Sequence, residues 1–96
     1  MSSQPDTLTQ QDVEQLLRLL PKYRVLLHND DDHAMDFVVE ALLRTVPHLG
    51  VEDAIRIMLE AHLTGTGLVV ICPKETAEFY RDKLESYGLI STIEPE

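Results

Sequence analysis

The densest chemistry in the chain lies in the run His28-Asn29-Asp30-Asp31-Asp32-His33, which is followed closely by Met35. A second pair, Met58 and His62, is spaced i, i+4 and falls on one face of a helix. An amide oxygen, carboxylates and imidazole nitrogens are hydrogen-bond acceptors, so the group suits a cationic ligand. The same residues include metal-ligand types, and a small metal-dependent enzyme using His28, Asp30, Asp32, His33 and His62 is the alternative reading. The spacing argues against it. The sixth position from Asp30 is Met35 where a calcium loop needs Gly, and the twelfth lacks Glu. No two histidines stand at i, i+4, so zinc would need ligands from separate elements. The plainest reading is that three Asp before a helix form a solvated turn with a cap, and that Met35 and Met58 fill the core.

Other catalytic constellations are weak. Cys72 precedes Pro73 with no base near it in sequence, leaving only a helix dipole to activate the thiol. Gly65-Thr66-Gly67 lacks both the glycine spacing and the following Lys of a phosphate loop. Consecutive carboxylates at Asp30, Asp31 and Asp32 point apart in a turn and do not form an acid/base pair.

The composition narrows the partners. The chain has 96 residues, enough for one domain with one modest core, and 44% of them are apolar. Eight Lys and Arg against seventeen Asp and Glu give a net charge of −9, which repels phosphate backbones and makes nucleic acid a poor partner. One cysteine cannot make an internal disulfide, and no secretory signal or membrane span is read, so the expected location is cytoplasmic.

The elements that must position these residues follow from apolar spacing. Residues 1–22 read as a flexible N-terminal extension, polar to Asp12, with Val13, Leu16, Leu17 and Leu20 at helical spacing in a short docking turn closed by Pro21. Tyr23-Arg24-Val25-Leu26-Leu27 is β-prone. Met35, Val38, Val39, Leu42 and Val46 mark a helix that Pro47 ends, with Asp32 and Asp36 suited to its N-terminus. Val51, Ala54, Ile55, Met58 and Ala61 mark a second helix, which begins after Gly50 and stops at Gly65. Leu68-Val69-Val70-Ile71 reads as a buried strand. Pro73 starts a third helix, with Ala77, Tyr80, Leu84 and Tyr87 on one face and Gly88 at its end, and Leu89 to Ile93 gives a last strand. The order predicts an α+β fold: a β-α-α-β-α-β sandwich of three helices on a small three-stranded antiparallel sheet, residues 23–96 forming the core domain.

Three blocks at fixed separation carry a resemblance: Asn29-Asp30-Asp31, Met35-Asp36-Phe37-Val38-Val39 and Ile57-Met58-Leu59-Glu60-Ala61-His62. With Tyr23-Arg24-Val25-Leu26-Leu27 before them and Gly65 after, the chain resembles the ClpS family of N-end-rule adaptors from about Tyr23 to Ile93, and among them the cyanobacterial branch. The resemblance implies a monomeric adaptor without cofactor, metal or catalysis of its own. Such an adaptor binds proteins beginning with Leu, Phe, Tyr or Trp and delivers them to a Clp/Hsp100 ATPase of ClpA or ClpC type. It implies that Asn29, Asp30 and His62 bind the amino group, with Asp31 beside them. Met35, Val38, Met58, Ala61 and Leu89 would form the hydrophobic pocket, and Glu75 and Glu78 the docking surface for the ATPase N-domain. The extension would engage the ATPase during delivery.

Three departures from the family pattern stand out. Relatives commonly carry an aromatic and then Thr-Pro where this chain has Asp32-His33-Ala34. Ala61 stands where Val or Ile is usual, and Tyr80, beside Arg81, replaces a Lys of the docking surface.

Overall fold

The structure is a computed structural model and describes residues 7–96. The first part of the polar extension, residues 1–6, lies outside the described residues. The elements are α1 (Gln10–Leu19), β1 (Lys22–His28), α2 (Met35–Thr45), α3 (Val51–Thr64), β2 (Thr66–Pro73), α4 (Lys74–Ser86) and β3 (Ser91–Pro95). The sheet order is β2-β1-β3 and both pairings are antiparallel. The strand that runs into the polar loop is therefore the central one.

Period-two alternation sets the two faces of the sheet. Val25 and Leu27 of β1 point into the core with Gly67, Val69 and Cys72 of β2 and Ser91 of β3. The outer face carries an Arg24–Glu94 ion pair at 3.6 Å and the His28 ring, whose Nε2 lies 2.7 Å from Thr92 Oγ1. The expectation that Leu68 to Ile71 is a buried strand is corrected here. Helices pack on one face of the sheet only, so Val69 is buried while Leu68 and Ile71, on the other face, are more than a third exposed. A bulge opposite Val25 and Leu26 breaks the alternation near Val70.

Three helices cover the inner face, with α2 packed on α3 and α4. Helix α2 buries Val38, Ala41, Leu42 and Thr45, while Met35 in its first turn stays 47% exposed. Its N-cap is Ala34 without a side-chain bond, and Asp36 Oδ1 accepts the Phe37 N–H at 2.9 Å; Asp32 does not cap the helix. Helix α3 buries Ala54, Ile57, Met58 and Ala61. Its inward stripe differs from the expected one. Ile55, about 100° round the axis from Ala54, faces solvent, as does Val51, and Ile57 takes the inward place. Asp53 Oδ2 accepts the Gly50 N–H at 3.2 Å at the head of α3, and Gly65, with φ of 100°, ends it in the left-handed region.

The apolar residues of the extension form a regular helix rather than a docked turn. Thr9 caps α1: its Oγ1 accepts the Asp12 N–H at 3.0 Å, and Asp12 Oδ2 accepts the Thr9 N–H at 3.2 Å. None of its residues is buried, and Val13, Leu16 and Leu17 are 40–52% exposed.

Candidate functional site

The loop of residues 29–34 leaves the central strand and is anchored at its start from two sides. The His28 N–H donates to the Ile90 carbonyl at 2.9 Å, and the Asn29 N–H donates to the Gly65 carbonyl at 3.0 Å. The Gly65 turn thus ties the end of α3 to the loop and brings His62 near Asn29 and Asp30.

Asp30 is the most constrained side chain of the loop. Its Oδ1 accepts the Asp32 N–H at 2.6 Å, closing an Asx turn, and its Oδ2 lies 2.7 Å from His33 Nδ1. The side chain is only 9% exposed. The Asp32 N–H above all holds this carboxyl below the usual carboxylate range, against the opposing effect of burial, and His33 adds to the depression. Asp30 is an anion at neutral pH. The His33 ring stacks on Phe37 with centroids 5.0 Å apart and planes 16° from parallel, and Tyr87 meets Phe37 edge-on at 6.4 Å.

Beside this loop lies a small hole open to solvent at its mouth; the free space in it, counted out into that solvent, is about 340 Å³. Leu27, Val38, Ala61 and Leu89 are its buried apolar walls, Met58 is 9% exposed, and Met35 stands at the opening. Asn29, Asp30, His33 and His62 line its polar side, together with His28, whose ring is turned away to Thr92. A small hole with apolar walls and acceptors in its lining fits an apolar side chain attached to a cationic or donor-rich head group.

Of the residues singled out from sequence, Asn29, Asp30, His62, Met35, Val38, Met58, Ala61 and Leu89 all line this hole. Asp31 is exposed and outside the lining, and Glu75 and Glu78 stand apart on α4. Leu27, His28 and His33 also line it, which the sequence reading did not anticipate for an apolar pocket. The signal for His33 was its i, i+3 distance from an Asp that opens a turn.

The alternative metal site does not assemble. Among the described residues no group of three or more His, Cys, Asp or Glu is arranged to hold an ion, and His28 is turned to Thr92. Cys72 is 7% exposed, and burial pushes its thiol up, away from the reactive thiolate. No helix among the described residues is long and apolar enough to cross a membrane.

Fold and hole together define a small α+β binding domain. The family model described as ATP-dependent Clp protease adaptor protein ClpS matches residues 19–92. An adapter of that name from Synechococcus elongatus is 50% identical over 92 residues, covering 96% of this chain and 90% of the relative. The chloroplastic adapter CLPS1 of Chlamydomonas reinhardtii is 48% identical over 92 residues, 93% of this chain and 57% of its own. Among solved structures, Agrobacterium tumefaciens ClpS2 bound to L-phenylalaninamide superimposes with a TM-score of 0.74 at 30% identity, covering 79% of this chain and 98% of that one. This chain belongs to the ClpS family of Clp protease adaptor proteins.

Proposed function

We propose that this chain recognises proteins through a bulky hydrophobic first residue, Leu, Phe, Tyr or Trp, and hands them to a Clp/Hsp100 ATPase and its protease, performing no chemistry itself. The observation that carries the reading is the juxtaposition of an ionised, nearly buried Asp30 with a small hole walled by Leu27, Val38, Met58, Ala61 and Leu89. The phenylalaninamide held by the Agrobacterium relative has the matching parts, a free α-amino group on a carbon that bears a benzyl group. In this reading Asn29, Asp30 and His62 accept the three ammonium hydrogens, and Asp31 adds negative field from outside. Met35, Val38, Met58, Ala61 and Leu89 enclose the side chain.

The magnitudes agree with reversible capture. Burying a Leu- or Phe-sized side chain contributes roughly 1.5–3 kcal/mol. Hydrogen bonds to a charged group contribute roughly 1.5–3 kcal/mol each. After association costs, the sum is consistent with roughly micromolar binding, which suits a protein that must release its cargo.

Residues 23–96 form the recognition core, and residues 1–22 are the segment that engages the ATPase during delivery. Glu75 and Glu78 present acids to the ATPase N-domain. The adaptor acts as a cytoplasmic monomer. Fluorescence anisotropy with labelled peptides that differ only in their first residue tests the central claim. Saturable binding of Phe and Leu peptides, lost on N-acetylation, is expected. Equal binding of acetylated and free peptides would overturn it.

A further inference from the structure

The structure assigns to His33 a positioning role: it holds the Asp30 carboxylate toward the amino-group end of the pocket. The inference rests on the recognition reading above and adds a residue to it.

The geometry leaves His33 little freedom. Its Nδ1 is 2.7 Å from Asp30 Oδ2, one face stacks on Phe37 at 5.0 Å, and the ring faces Gly88. A Cβ added at Gly88 would lie 3.1 Å from His33 Nε2, so the glycine leaves room for this ring, besides supplying a φ of 87°. The Asp32 N–H fixes Asp30 Oδ1 and the His33 N–H fixes Oδ2. Each carboxylate oxygen keeps a second acceptor direction, and with both oxygens pinned those directions are set before a ligand arrives. Without His33 the Oδ2 side could rotate about χ2 and hydrate.

Two variants of the full-length chain separate positioning from packing. H33F keeps a ring to stack on Phe37 and loses the donor, whereas H33Q keeps an N–H donor. Affinity for a Phe-initiated peptide is measured at pH 7.5, with thermal midpoints recorded alongside. H33F is expected to weaken binding about tenfold, in keeping with loss of a hydrogen bond to a charged group. H33Q, which restores a donor, is expected to recover to within about threefold of the wild type. Wild-type affinity in H33F overturns the positioning role, as does an H33Q protein that is folded yet as weak as H33F. Should H33F not fold, H33L, which keeps apolar bulk without a donor, takes its place with the same expected loss and the same overturning result. A wild-type chain that binds no free N-terminus overturns the recognition reading first and this inference with it, whereas failure of the inference alone leaves wild-type binding intact.

Discussion

Gly67 of β2 runs so close to Ile57 of α3 that a Cβ on Gly67 would stand 2.5 Å from the Ile57 carbonyl oxygen and 3.2 Å from the Ala61 nitrogen. This approach seats the helix bearing Met58, Ala61 and His62 against the sheet.

Gly67→Ala is therefore expected to push α3 away, because a helix carbonyl cannot swing aside as a long side chain can. Overpacking of this kind costs about 1–3 kcal/mol, and each kcal/mol corresponds to a fall of about 4–8 °C in Tm for a domain of this size. Gly65→Ala is the comparison. Its Cβ meets nothing within 4 Å, so only the strain of φ at 100° remains, about 1–2 kcal/mol. Thermal melts of the two variants check the order. A Gly67→Ala protein as stable as the wild type would mean that β2 and α3 can separate without cost.

Met35 is 47% exposed at the mouth of the hole, unlike its buried neighbour Val38. Met35→Ala is accordingly expected to cost under about 1 kcal/mol in stability. It widens the opening where a branch at the first residue's Cβ would meet the Met side chain, so affinity for Ile- and Val-initiated peptides should rise relative to Leu and Phe. Peptide anisotropy gives the ratio. Unchanged discrimination accompanied by a large drop in Tm would make Met35 a core residue.

Asp30 is held below the ordinary carboxylate range by the Asp32 N–H, then by His33, so it still offers a full negative charge to an ammonium group in mildly acidic solution. Asp30→Asn removes that charge while keeping an acceptor oxygen, and is expected to weaken binding of a Phe-initiated peptide by about tenfold or more. His62 is tested by the same assay: His62→Gln keeps an acceptor and His62→Phe does not, so His62→Phe should raise Kd by more than His62→Gln. Wild-type affinity in His62→Phe would remove His62 from the amino-group contacts.

Much of this geometry was legible because residue type and spacing carry it directly. The i, i+4 relation of Met58 and His62 survives any small error in helix bounds, and Gly65, Pro73 and Gly88 mark ends through backbone chemistry that does not depend on the rest of the fold. What was not legible depends on which elements meet. Leu68 to Ile71 reads as a fully buried run until the helices are seen to pack on one face of the sheet only. Ile55 and Ile57 are equally apolar, and only the packing of α3 on β2 decides which one faces inward. The His33–Asp30 contact closes through a turn whose shape the residue types permit but do not dictate. For the helix in the extension, the Thr9–Asp12 capping pair was the readable sign, whereas the apolar stripe after it pointed to docking that the core does not provide.

That undocked helix leads to the last expectation. Helix α1 buries no residue, yet Val13, Leu16, Leu17 and Leu20 leave one side of it apolar and 40–52% exposed. Its nearest approach to the core is a groove where Leu17 and Arg18 meet Lys22, His48 and the end of β2, and neither residue lines the hole. Removing residues 1–20 should therefore lower Tm by only a few degrees, since about 1 kcal/mol or less of packing is lost. Affinity for a Phe-initiated peptide should stay within about twofold, because no acceptor or wall of the hole is touched. Degradation of a Phe-initiated substrate by the cognate ATPase and protease should nevertheless fall sharply if the extension is the part the ATPase engages. Binding and degradation measured on the same truncated protein separate the two roles. Loss of both would mean that α1 supports the pocket, and retention of both would mean that delivery runs through the surface of α4 near Glu75 and Glu78 alone.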